Sequence, residues 1–262
     1  MNGAHPDYEA VRSVTSAASV LLQNNPGPMT LDGTNTWLLR GSGADEFVVV
    51  DPGQSDDLHL ERLLAAAPRI ATVLVTHGHF DHSQAGAELH ARTGAAVRAL
   101  DPEHCHGGPP LVDGETFESA GVRVQVLATP GHTADSVSFV VDGGAAVLTG
   151  DTILGRGTTV VAHPDGILGA YLDSLRRLRD LGAATVLPGH GPELPAIADV
   201  AAMYLAHREQ RLDQVREALQ TLGGDATARQ VVEIVYADVD QALWWAAELS
   251  VEAQLLYLRA GD

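Results

Sequence analysis

The sequence predicts an α/β protein in which two β-sheets pack face to face between outer layers of helices, a four-layer αβ/βα sandwich, followed by a small helical segment. Two observations predict it. A strand-rich run that passes into helices occurs twice along the chain, and after about Pro195 the strand signal fades and only helical patterns follow. The length of 262 residues fits one large domain, or one large and one small, with a core that needs no staples.

Taken in order, Ser19–Gln23, Thr36–Arg40 and Glu46–Val50 read as a strand meander, separated by the turn-rich Asn24–Gly33 and by Gly41–Ala44. Asp56 to Ala67 reads as a helix burying Leu58, Leu63 and Leu64, and Ala71–Thr76 as an apolar strand covered on both faces. Asp81 to Thr93 reads as one helix stopped by Gly94. Val97–Leu100, Gly121–Leu127, Val137–Val141 and Ala145–Thr149 continue as strands, with Asp113-Gly114 and Asp142-Gly143-Gly144 as hairpin signals. Leu168 to Leu181 is helical and Ala184–Leu187 is a last buried strand. Beyond Pro195, Ile197–Leu222 is a long amphipathic helix, Thr227 to Gln230 is a capping box opening a second, and Asp240 caps a third through Leu243, Trp244, Ala247, Val251 and Leu255. The division expected is a body of residues 1–195 and a segment of residues 196–262.

Composition removes several functions. The formal charge is −18, and all 16 basic residues are Arg, so no lysine Schiff base or P-loop lysine is available. That acidity opposes binding of a polyanion unless arginines cluster locally. Cys105 is the one cysteine, which rules out an intrachain disulfide and a cysteine-based zinc site. Met1 to Arg12 lacks a basic leader followed by an apolar stretch, and the apolar run Ala17–Leu22 is too short to span a membrane, so a cytoplasmic protein with no membrane partner is expected.

The chemistry concentrates in Thr76-His77-Gly78-His79-Phe80-Asp81-His82, directly after a buried strand. Residues two apart in extended chain share a side, so His77 and His79 reach one cation, and a turn brings Asp81 and His82 to the same place. His132, Asp151 and His190 each follow an apolar strand beside a glycine. Strand ends of one sheet share an edge, and five imidazoles with two carboxylates there match the needs of two borderline divalent ions.

At these residues the chain resembles the metallo-β-lactamase superfamily over roughly Ala17 to Pro192. The resemblance implies that His77, His79 and His132 hold one metal, that Asp81, His82 and His190 hold a second, and that Asp151 bridges them. Asn25 to Leu31 with Gly33-Thr34-Asn35-Thr36-Trp37 is similar to the N-terminal signature of the subgroup containing beta-lactamase-like protein two. That subgroup implies a winged-helix-like C-terminal segment. The expected cofactors are two Zn2+ per chain, with iron and manganese left open. Two such ions lower the pKa of a shared water and polarise the group attacked, which suits hydrolysis. Asp81 is the candidate proton acceptor, and no serine nucleophile with a supporting histidine is evident.

The function expected is hydrolysis of a small ester, thioester or lactone, with weak β-lactam hydrolysis as a side activity. The alternative is an endoribonuclease acting on single-stranded RNA, as the subgroup implies. From Val200 onward 5 Arg face 10 Asp and Glu, a poor match to phosphates and equally poor for a DNA-reading regulator. Within the superfamily, His79 where flavodiiron proteins carry Glu disfavours a di-iron reductase, and the 38 residues between Asp151 and His190 leave no room for the inserted domain of mRNA-end nucleases. Candidate substrate residues are Arg156 and His163, in the loop past Asp151, and His207, Arg208 and Arg211, which either roof the site or form the solvated face of their helix. His104-Cys105-His106 reads as a surface loop, Asp51 as a structural aspartate bracing the ligand loop, and Trp244-Trp245 as packing.

Overall fold

In the computed structural model residues 7–260 are described; residues 1–6 of the N-terminal stretch weighed above as a leader lie outside them. The first sheet runs in sequence order through β1 (Val11–Ser13), β2 (Ala18–Leu22), β3 (Asn35–Leu39), β4 (Phe47–Val50), β5 (Ile70–Leu74) and β6 (Ala96–Arg98). Its first four strands are antiparallel. β4, β5 and β6 are parallel, because α1 (Asp57–Ala66), α2 (Phe80–Ser83) and α3 (Gly86–Thr93) supply the crossovers. The second sheet contains β7 (Thr116–Ser119), β8 (Val122–Ala128), β9 (Val137–Val141), β10 (Ala146–Gly150) and β11 (Thr185–Pro188), in the order β11-β10-β9-β8-β7. In this sheet only the β10–β11 pair is parallel, joined through α4 (Leu168–Arg179).

Period-two alternation produces the four layers. Trp37, Leu39, Val48, Val50 and Leu74 point between the sheets, where they meet Val124, Val126, Phe139 and Leu148. Their neighbours Leu38, Val49 and Val73 point the other way, onto Leu60 and Leu63 of α1 and Leu89 of α3. On the far side Val140, Val147 and Val186 meet Tyr171, Leu175 and Leu178 of α4. Each fully buried aliphatic side chain is worth about 1.5–3 kcal/mol, so a one-residue slip of any central strand would forfeit many of them.

The C-terminal segment is α5 (Ile197–Leu222), α6 (Ala228–Val235), a 3-10 turn at Gln241–Leu243, and α7 (Trp244–Ala260). Its Thr227–Gln230 capping box is present. The segment divides its contacts. Ile197, Ala201, Tyr204 and Leu212 of α5 share the core that α4 makes with the second sheet, whereas Val215 and Ala218 join Val231, Val232, Trp244, Val251 and Leu255 in a separate cluster. Among the described residues no helix is long and apolar enough to cross a membrane.

Several expectations are corrected. α1 buries His59, Leu60 and Leu63, whereas Leu58, about 200° around the helix from Leu60, is 50% exposed on the outer face. The helix expected over Asp81–Thr93 is two: the Ala85 N–H bonds Gly53 O, outside the helix, and breaks the ladder. β7 and β8 turn at Ala120-Gly121, both at positive φ, and not at Asp113-Gly114. β1, exposed at all three residues, carries no alternation and gives no sequence signal. The tryptophans part company: Trp244 is buried and donates from Nε1 to Val239 O, while Trp245 is 54% exposed.

Candidate metal centre

The seven ligand-type residues meet at the edge where both sheets end. His77 and His79 follow β5, Asp81 and His82 lie in α2, His132 follows β8, Asp151 follows β10, and His190 follows β11. They form three overlapping groups, His77–His79–His132, His77–His82–Asp151 and Asp81–His82–His190, with ligand atoms inside each group within 4.8 Å of one another. Asp151 reaches both sides: its Oδ1 lies 3.4 Å from His82 Nε2, and its Oδ2 lies 3.4 Å from His190 Nε2 and 3.8 Å from His132 Nε2.

Second contacts decide which nitrogen faces inward. His82 Nδ1 donates to Asp51 Oδ2 at 2.9 Å, His132 Nδ1 to Val160 O at 2.9 Å, and His190 Nδ1 to Gly33 O at 3.0 Å. Asp51 also accepts from the Thr76 N–H and hydroxyl, both at 2.8 Å, leaving the Thr76 oxygen to accept from His77 Nδ1 at 3.1 Å. These bonds hold the Nδ1 protons outside and turn the Nε2 atoms of His77, His82, His132 and His190 into the basin. His79 contributes Nδ1, which lies 3.0 Å from His77 Nε2 and 3.2 Å from His132 Nε2. Tetrahedral ligands about 2.0–2.1 Å from a zinc-sized ion stand about 3.3–3.4 Å apart, close to these separations. Asp151 Oδ1, buried and without a hydrogen-bond partner among the described residues, completes a donor set that fits divalent cations.

Electrostatics agree with that fit. Burial works against charge on His190, yet Asp151 and Asp81 draw its pKa up to about 11; the same opposition, with Asp151 and Asp51 as the carboxylates, raises His82. His77 is pushed well down by burial and by the imidazoles around it. Asp151 and Asp81 stay ionised despite burial, because His190 and His82 lower both.

A brace for His190 comes from the N-terminal signature. Gly33, Asn35 and Trp37 alternate onto one side of the chain: Gly33 O accepts from His190, Asn35 Nδ2 donates to Pro188 O and Gly191 O, and Trp37 Nε1 donates to Pro188 O. Sequence reasoning placed these residues only by resemblance. The period-two spacing of Gly, Asn and Trp beside a turn is the signal that assigns their role. Gly189 is required by proximity, since a Cβ there would lie 2.7 Å from both Asp151 Oδ1 and His82 Cε1. Asp51 braces the ligand loop as expected.

The remaining candidates separate. Arg156 is ion-paired with Asp32 and lines a cavity of about 390 Å3 with Arg12, Glu193 and Gly191, the residue after His190; none of the seven ligand-type residues lines that cavity. His163 borders an apolar groove between the start of α4 and the end of α7. His207, Arg208 and Arg211 come together, with Thr159 and Val160, around a third cavity; Arg208 is 5% exposed and so is no part of a solvated face. The His104 ring lies against Gly78, and Cys105 Sγ bonds the Ala99 backbone; neither belongs to a metal-type group among the described residues.

Comparison with known sequences decides the family. The sequence profile of the metallo-beta-lactamase superfamily matches residues 29–190. The chain belongs to the metallo-β-lactamase superfamily. A second profile, the beta-lactamase associated winged helix domain, matches residues 227–261. A superfamily relative named atrochrysone carboxyl ACP thioesterase from Aspergillus fumigatus is 33% identical over 251 residues, covering 88% of this chain and 77% of that protein. The beta-lactamase-like protein 2 homolog of Drosophila melanogaster is 34% identical over 266 residues, covering 94% and 89%. A metallo-beta-lactamase family protein from Thermus thermophilus shares the fold with a TM-score of 0.78 at 24% identity, over 95% of each chain.

Proposed function

We propose that this superfamily member is a dinuclear zinc hydrolase acting on small esters, thioesters or lactones. The observation that carries the reading is the shared position of Asp151 between two ligand sets whose imidazole nitrogens already converge. His77, His79 and His132 would hold one ion, Asp81, His82 and His190 the other, and Asp151 both; the same donors accept iron or manganese. When bound, a pair of such ions supplies hydroxide at neutral pH and polarises a carbonyl.

The chain's own contribution is proton handling and positioning. Asp81 is 7% exposed, its Oδ2 sits 3.2 Å from His190 Nε2, and that contact together with His82 keeps it ionised, so it can accept a proton at neutral pH and orient an attacking water. Asp51 and Gly33 O hold His82 and His190 in the tautomers this requires. A thioester is favoured among substrates because a relative 33% identical over most of both chains is named a thioesterase. An RNA substrate is disfavoured. Two of the three outward arginines of the C-terminal segment are spent on carboxylates, Arg216 on Glu209 and Asp213 and Arg229 on Glu233 and Glu248, and the third, Arg259, bonds Gly224 O and Ala226 O.

The test is a panel of acyl thioesters, lactones, nitrocefin and short RNA with zinc-loaded protein. Thioester or lactone turnover is expected to dominate, with nitrocefin slow. RNA cleavage that outpaces both and weakens steeply with salt would overturn the reading.

A further inference from the structure

The cavity between the body and the C-terminal segment encloses about 260 Å3 and is lined by Arg208, Arg211 and His207. Among the described residues no Asp or Glu lines it, in a chain with 34 acidic residues. Elsewhere Arg12, Arg98, Arg177, Arg216 and Arg229 each rest on a carboxylate. Arg208 and Arg211 face other groups: Arg208 donates to Thr159 O and lies 5.0 Å over the Tyr171 ring, and Arg211 bonds Gln214 Oε1 and lies 4.7 Å over the Tyr236 ring.

Burial makes this arrangement costly without an anion. Arg208 is only 5% exposed, and its Nε is buried without a hydrogen-bond partner among the described residues, as is His207 Nδ1 beside it. A guanidinium out of water needs a counter-charge, and its planar fork suits carboxylate or phosphate oxygens. Tyr236, whose ring carries Arg211, and Trp245 also line the cavity, together with the apolar Val239, Leu243 and Ala246. The cavity also adjoins the proposed reaction site. Its floor residue Val160 accepts the His132 Nδ1 proton, and Thr159 donates to Asp151 O at 2.7 Å.

We propose that this cavity binds an anionic group, carboxylate or phosphate, carried by the substrate at its end remote from the hydrolysed bond, gripped by Arg208 and Arg211 and bedded on Tyr236 and Trp245. The proposal rests on the hydrolase reading for the word substrate, and its test does not depend on turnover. Calorimetric titration of zinc-loaded protein with phenylphosphonate, benzoate and neutral benzamide reads the site directly. Wild type should bind at least one anion about tenfold more tightly than benzamide, and Arg211→Gln should abolish that preference. Ala246→Glu, which sets a carboxylate on the cavity wall, should abolish it without touching either arginine. Phosphonate ahead of benzoate assigns a phosphate-bearing ligand, and the reverse a carboxylate. Equal affinity in wild type and both folded variants would place the anion elsewhere and overturn the proposal, as would no preference over benzamide. Arginine-dependent anion binding without ester hydrolysis would instead count against the hydrolase reading alone.

Discussion

Replacing Asp51 by Asn should weaken binding of the second metal while leaving the first. Asp51 is 1% exposed and accepts three hydrogen bonds, from the Thr76 N–H, the Thr76 hydroxyl and His82 Nδ1, at 2.8, 2.8 and 2.9 Å. Its φ of 54° is one that Asn tolerates, so the backbone accepts the change. The amide oxygen can keep the Thr76 N–H, and the Thr76 hydroxyl can rotate to accept. His82 has no such escape, because an N–H would face an N–H. The ring must move its proton to Nε2, the nitrogen aimed into the basin. A buried hydrogen bond to a charged acceptor is worth about 1.5–3 kcal/mol, and at about 1.4 kcal/mol per factor of ten that converts to roughly 10- to 100-fold weaker binding at the His82 site. Chelator competition with zinc, resolved into two steps, measures it. The weaker step should fall by that factor while the step assigned to His77, His79 and His132 holds. Two unchanged steps, or loss of the first in place of the second, would refute the tautomer argument.

Asp81→Asn should leave the fold intact and lower thioester turnover by about 10²- to 10⁴-fold, since the amide cannot accept a proton; wild-type turnover at full metal content would place the base elsewhere. Gly189→Ala should deplete the second metal and turnover together, because the new methyl would press on Asp151 Oδ1 and His82 at 2.7 Å; metal content equal to wild type in the purified variant would contradict it. Zinc uptake should release protons: the carboxylates of Asp151 and Asp81 draw the His190 pKa up to about 11, so across the neutral range it must lose its proton to coordinate, and affinity should rise with pH there. Calorimetry in buffers of different ionisation enthalpy counts the protons, and none released near pH 7 would mean that His190 is neutral before metal binds.

The cluster of seven candidate ligands is legible in the sequence because His77, His79, Asp81 and His82 crowd into six residues after β5, and His132, Asp151 and His190 each follow an apolar strand beside a glycine. The four layers are legible from alternation, as in Trp37, Leu38 and Leu39, whose neighbouring side chains serve opposite faces. Features set by tertiary contacts are not. The break within Asp81–Thr93 comes from Gly53 O, a partner 32 residues before Ala85. The burial of Arg208 depends on Thr159 and Tyr171, which no helical period reveals. Leu58 is misplaced by periodicity because α1 offers apolar residues on two faces and packing of Leu60 and Leu63 on the first sheet decides which is buried.

The central claim, that two ions held through Asp151 act together in hydrolysis, is tested most directly by restoring zinc stepwise to metal-free protein while following cleavage of S-phenyl thioacetate. Activity should climb to a plateau at two equivalents per chain. A plateau reached at one equivalent, or turnover undiminished in the metal-free protein, would contradict the account.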